Sequence, residues 1–208
     1  TDASMQLKTK SQIKKMIAQE TARIMVEQGI EKYHTAKYKA AENLNFQNLG
    51  CLPRNSEIED KLKEYHRLFD GESHHISLFK LRKIALSVME FFGNFKSFLV
   101  GPVANGTATA GSPINIHLSA ENIEEVMSQL DNQLIAHKLY ERQLKTGHQT
   151  TKNFKGLTFI YKKIDIEVTV FTHKEIKQIP ISRINNKPMK RIKAKALKEL
   201  LVILGSSL

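Results

Sequence analysis

The chain has 208 residues, 41% hydrophobic and 25% charged, which suits a globular protein with one core, or one core and an appendage. No apolar run approaches the roughly 18–20 residues of a membrane span. No basic segment followed by an apolar core reads as a secretory leader, so no membrane partner is expected. Lys and Arg number 32 against 21 Asp and Glu, and the net charge of +11 points to polyanionic partners.

Cys51 is the single cysteine, and a chain built without disulfides fits a reducing, cytoplasmic setting. The first half reads as helical. Between Ser11 and Gln28, apolar residues recur at Ile13, Ile17, Ile24 and Met25, with Gly29 as the stop. A second helix is expected from Ala36 to Leu44, capped by Thr35. After a loop containing Gly50 and Pro53, Asn55 or Ser56 caps a third helix with the stripe Ile58, Leu62, Tyr65 and Phe69, ended by Asp70-Gly71. Ile76 to Phe92 is apolar on most sides, as in a helix buried between layers, and Gly93-Asn94 breaks it.

From Ser97 the period changes to two. Phe98 to Val103 is expected as a strand. Ile114, Ile116 and Leu118 alternate with Pro113, Asn115 and His117, giving a second strand with one apolar and one polar face. Ala120 to Leu134 is an amphipathic helix. Leu157–Tyr161 and Ile164–Phe171 form a hairpin around Lys162-Lys163, with Asp165, Glu167 and Thr169 on one face of the second strand. Pro180 and Pro188 mark a loop, and Ile192 to Leu204 is a final helix. The order predicts an α+β fold, a small mixed β-sheet covered by helices. A helical N-terminal region is expected over 5–94 and the sheet-bearing core over 95–208.

The stretch Leu99-Val100-Gly101-Pro102-Val103-Ala104-Asn105-Gly106-Thr107 and on to Gly111-Ser112-Pro113-Ile114-Asn115-Ile116-His117 spans the join between the first two strands. It resembles, without a gap, the signature of nucleotidyltransferases: an apolar strand, Gly-Ser, a second Gly, then Ser-Asp-x-Asp on the next strand. Gly101, Gly106 and Ser112 match. The Ser after the first Gly is Pro102, and the two Asp positions are Pro113 and Asn115. The chain is also similar to a bacterial nucleotidyltransferase-like family of about this size, with a helical N-terminus and a Val-Gly-Pro-Val block.

The resemblance implies a sheet of nucleotidyltransferase type, with Gly101, Asn105, Gly106, Thr107, Ser112 and Asn115 as nucleotide-binding residues. Two-metal nucleotidyl transfer needs carboxylates at i and i+2 of one strand, where both point to the same face, and a third on a neighbouring strand. Glu167 or Asp165 stands for the third, but Pro113 and Asn115 remove the pair. Pro102 also removes a hydroxyl and an N–H from the phosphate cradle. The expectation is therefore a catalytically degenerate protein that binds nucleotide or nucleic acid, with no cofactor and no metal.

Two alternatives stand beside it. In the first, the protein is an active enzyme with Asn115, His117, Asp165 and Glu167 around one Mg²⁺; His117 is read as a general base or a metal ligand, or else as a hydrogen-bonded strand histidine. In the second, the N-terminal helices bind a protein partner and the cleft is vestigial. The pair Thr21–Ile30 and Ala36–Leu44 is similar to the opening of helix-turn-helix repressors, with Lys32, Lys37 and Lys39 toward phosphate, or else is a plain helical hairpin. From Thr172 to Leu208, nine Lys/Arg face two Glu, a surplus of seven, and Lys187, Lys190, Arg191 and Lys193 are the expected phosphate contacts.

Overall fold

A computed structural model describes residues 9–46, 50–69, 71–109, 111–147 and 150–205. The chain divides into two compact units, Thr1–Gly71 and Glu72–Leu208. Asp70, expected with Gly71 to end the third helix, lies outside the described residues.

Among the described residues, the first unit holds three helices: α1 (Lys10–Glu27), α2 (Tyr33–Asn43) and α3 (Asn55–Phe69). Thr9 and Gln12 start α1 with a reciprocal capping box, the Thr9 hydroxyl accepting from the Gln12 amide and the Gln12 side chain from the Thr9 amide. Thr35 does not cap α2, because the helix already begins at Tyr33, after Lys32. Its buried residues are Ala36, Ala40 and Ala41, whose small side chains let α2 approach α1 closely. The buried stripe of α3 is Ile58, Glu59, Leu62 and His66, rotated from the expected one, and Phe69 is 72% exposed. Of its two polar members, Glu59 accepts a hydrogen bond from the Tyr33 hydroxyl.

The second unit holds α4 (Gly71–Phe91) except its first residue and continues through β1 (Lys96–Val100), α5 (Gly101–Asn105), β2 (Ile114–Ser119) and α6 (Ile123–Asp131). It then runs through β3 (His137–Lys145), β4 (Thr151–Tyr161) and β5 (Ile164–Phe171) to a 3-10 turn at Glu175–Lys177 and α7 (Ala194–Gly205). The strands form one sheet in the order β1-β2-β5-β4-β3, with β2–β5 parallel and the other pairs antiparallel. The α+β class and the mixed sheet thus agree with the sequence reading.

One sheet face carries the main core. Ile114, Ile116, Leu118, Leu157, Phe159, Ile166 and Val168 pack with Leu78, Leu81 and Val88 of α4, with Phe92 just past its end, with Val126 and Leu130 of α6, and with Leu197 and Leu201 of α7. The other face carries a smaller cluster of Phe98, Leu144, Phe154, Phe171 and Ile176, so β2 is buried at all six positions, its polar side included.

Several expected boundaries move. β1 stops at Val100 instead of Val103, because Gly101 takes a left-handed φ of 72° and Pro102 suits the first turn of a helix. α6 is shorter than expected: Asn122 caps it, and Leu134 lies past its end, 94% exposed. Ile192 is not helical. It forms an isolated bridge with Leu99, exchanging both backbone hydrogen bonds at 2.9 Å. β3 has no counterpart among the expected elements, and β4 starts at Thr151 instead of Leu157. The Lys162-Lys163 hairpin forms where expected, with both residues at positive φ. Among the described residues, no helix is long and apolar enough to cross a membrane.

Candidate phosphate-facing site on the polar face of the sheet

Parallel pairing of β2 with β5 sets Asn115 beside Glu167 and His117 beside Thr169. Antiparallel pairing of β1 with β2 sets Val100 beside Asn115, which brings Gly101 to the same end. A Cβ at Gly101 would lie 3.3 Å from the Asn115 side-chain nitrogen, so both the left-handed turn and the tight approach require glycine there.

Arg142, on β3, reaches this pair from across β4. Its Nη1 donates to Asn115 Oδ1 at 2.9 Å, and its Nη2 donates to Glu167 Oε2 in an ion pair. Asn115 Nδ2 in turn donates to the Pro113 carbonyl at 3.3 Å. Beside this crossing, Gly156 makes room for Tyr140. Tyr140 pairs with Gly156, and a Cβ there would collide with the Tyr140 ring and lie 2.6 Å from the Val168 carbonyl. The Tyr140 ring lies across the glycine, its hydroxyl 2.9 Å from Thr169 Oγ1, and the Arg142 guanidinium stands 5.3 Å from the ring centroid. Burial pushes the Tyr140 phenol above its usual range.

One step along β2, His117 is 1% exposed. Its Nδ1 accepts from Arg191 Nε at 3.3 Å and lies 3.2 Å from Arg191 Nη2. Burial, and then the neighbouring Arg191 and Arg142, push its pKa down to about 3, so the ring is neutral at physiological pH. Arg191 is held as firmly: its guanidinium lies 5.1 Å from the Phe98 ring and 5.5 Å from Phe171, and Nη1 donates to the Ile176 carbonyl at 2.6 Å. Burial lowers its pKa to about 10, which leaves it charged. His117 and Arg191 are thus joined inside the fold, and the His117 lone pair that a base would use already accepts hydrogen bonds.

The glycine loop closes on itself. The amides of Gly106 and Thr107 both donate to the Pro102 carbonyl, at 2.8 and 3.0 Å, and the Ser112 amide donates to Thr109. Ser112 Oγ accepts from the Thr109 amide at 2.9 Å. His74 Nε2 donates to the Gly106 carbonyl at 3.1 Å, and Arg82 Nε donates to the Val103 carbonyl. The loop amides expected to cradle phosphate are therefore engaged locally. Asn105 is half-buried beside them, at the end of α5.

The remaining expected residues lie apart. Asp165 is exposed near the β4–β5 turn and lines a cavity of about 570 Å³ with His137 and Lys138. Lys187, Lys190 and Lys193 are exposed on the segment leading to α7. Arg142, Tyr140 and Gly156 are the site residues that the sequence reading missed. The signal was Tyr140, Arg142 and Leu144 at alternate positions, hidden among polar neighbours.

The donor set does not fit a Mg²⁺ pair. Pro113 offers no side-chain oxygen, the Asn115 oxygen is neutral, and a cation already sits between Asn115 and Glu167. Among the described residues, no three His, Cys, Asp or Glu converge as metal ligands. No protein-family model matches the chain, and no curated protein matches it with significance.

Proposed function

We propose that the sheet unit is a degenerate nucleotidyltransferase-like module that binds nucleotide or nucleic acid without carrying out two-metal nucleotidyl transfer. The observation that carries this reading is the Arg142 guanidinium bridging Asn115 and Glu167, the β2–β5 pair that corresponds to the transferase carboxylate positions. Support comes from the left-handed Gly101 at the end of β1, from the strand–helical turn–strand order around it, and from the net charge of +11.

The chemistry follows from charge balance. Two divalent ions on one carboxylate would stand almost uncompensated, whereas one guanidinium and one carboxylate are matched. Such a pair leaves the remaining guanidinium N–H donors for a ligand phosphate but lacks what polarises an attacking hydroxyl and neutralises a leaving pyrophosphate.

The reading is tested by binding and turnover together. A fluorescent nucleotide and a labelled single-stranded RNA are titrated at rising salt, and radiolabelled NTP is followed for transfer with Mg²⁺ or Mn²⁺. Salt-weakened binding with no transfer is expected. Robust transfer lost in Glu167→Ala, or no binding of either probe at low salt, contradicts it.

A further inference from the structure

We infer that Arg142 is the phosphate-binding group of this site, and that it makes binding independent of divalent metal; this rests on the reading just proposed. A guanidinium carries five N–H donors in a planar fork suited to a phosphate's two oxygens. Two of those donors are used, by Asn115 and Glu167, and the other three have no partner among the described residues. The side chains of Arg142 and Glu167 are 32% and 28% exposed, so the pair is partly open to solvent.

The group is also pinned before any ligand arrives. Asn115 and Glu167 fix one edge of the fork, and Tyr140, seated over Gly156, lies alongside it. Little side-chain freedom remains to be lost on binding. Competing phosphate donors nearby are engaged elsewhere. The Gly106, Thr107 and Ser112 amides donate within their loop, and Arg191 is fixed by His117 and the Ile176 carbonyl. Glu167 then has a second role. Its negative charge holds Arg142 but repels an incoming phosphate, so it sets the affinity.

The ligand chemistry is a phosphate ester, carried either by a free nucleotide or by a nucleic-acid strand. The test uses a mant-labelled ATP and a fluorescein-labelled single-stranded RNA, each titrated by anisotropy in EDTA and in Mg²⁺. The variants are Arg142→Gln, Arg142→Lys and Glu167→Gln, with circular dichroism as a folding check. For at least one probe, wild-type affinity is expected to be equal in EDTA and Mg²⁺ within about twofold. Arg142→Gln weakens it by about tenfold or more, the loss expected for one charge-assisted hydrogen-bond site. Arg142→Lys recovers part of the loss, as charge without a fork. Glu167→Gln tightens binding.

Binding that requires Mg²⁺, or that Arg142→Gln leaves unchanged, overturns this inference and leaves the proposed function standing. Failure of both probes to bind wild-type protein overturns the proposed function. Should Arg142→Gln not fold, Glu167→Gln decides, and unchanged or weaker binding in it counts against the inference.

Discussion

Arg142 and Glu167 form an ion pair across the sheet although their strands are not neighbours: β4 lies between them, and Arg142 crosses it to reach β5 and β2. Tyr140, beside the Arg142 guanidinium, lies over Gly156 of β4, where a Cβ would meet the Tyr140 ring and the Val168 carbonyl. Gly156→Ala is therefore expected to destabilise the sheet unit by about 2 kcal/mol or more, because Tyr140 can swing aside but the Val168 carbonyl cannot. Chemical denaturation measures it. An unchanged midpoint shows that the close approach is not needed.

His117 predicts an acid-sensitive fold. Its folded pKa of about 3 lies below the unfolded value near 6.5, so below pH 6.5 the unfolded chain binds the extra proton. Its contribution is full above about pH 6.5 and falls away toward pH 3, by at most about 1.4 kcal/mol per pH unit. In His117→Asn, whose side-chain oxygen can still accept from Arg191, the stability–pH curve should be flatter between pH 4 and 6. An identical slope in the variant shows that other groups set the acid limb.

The sequence reading recovered what periodicity encodes strongly and missed what a sheet edge conceals. Ile164, Ile166, Val168 and Val170 alternate cleanly because one face of β5 meets the main core, and Lys162-Lys163 marks its turn. β3 is an edge strand in which Leu144 alone is buried, so Lys138, Glu141 and Gln143 read as loop. Arg142 vanished with the strand that carries it. Asn115 and Glu167 were found because Gly101 and the β2 and β5 alternation fix their register. The inward turn of Arg191 was illegible, since it depends on Phe98 and Phe171, far from it in sequence.

The hairpin offers a stabilising change. Lys162 and Lys163 sit at φ of 49° and 65°, where Asn-Gly is preferred. Replacing them with Lys162→Asn and Lys163→Gly should raise stability by about 0.5–1 kcal/mol and the melting temperature by a few degrees. A lower melting temperature contradicts the turn assignment.

In the helical unit, Tyr33→Phe takes away the phenol that donates to the buried Glu59 carboxylate. Burial and Glu59 together hold the Tyr33 hydroxyl protonated, far above its usual range. The loss should be about 1–3 kcal/mol by denaturant titration, with Tyr33→Phe/Glu59→Gln partly restored because the charge is gone. Equal losses in the single and double variants exclude the coupling.

The most direct measurement is a crystal structure of the protein soaked with NTP and Mn²⁺, with anomalous data to locate the metal. The account predicts a phosphate group against the Arg142 guanidinium, the Arg142–Glu167 pair retained, and no anomalous peak between Asn115 and Glu167. A Mn²⁺ peak at that position, with Arg142 displaced from both residues, would contradict it.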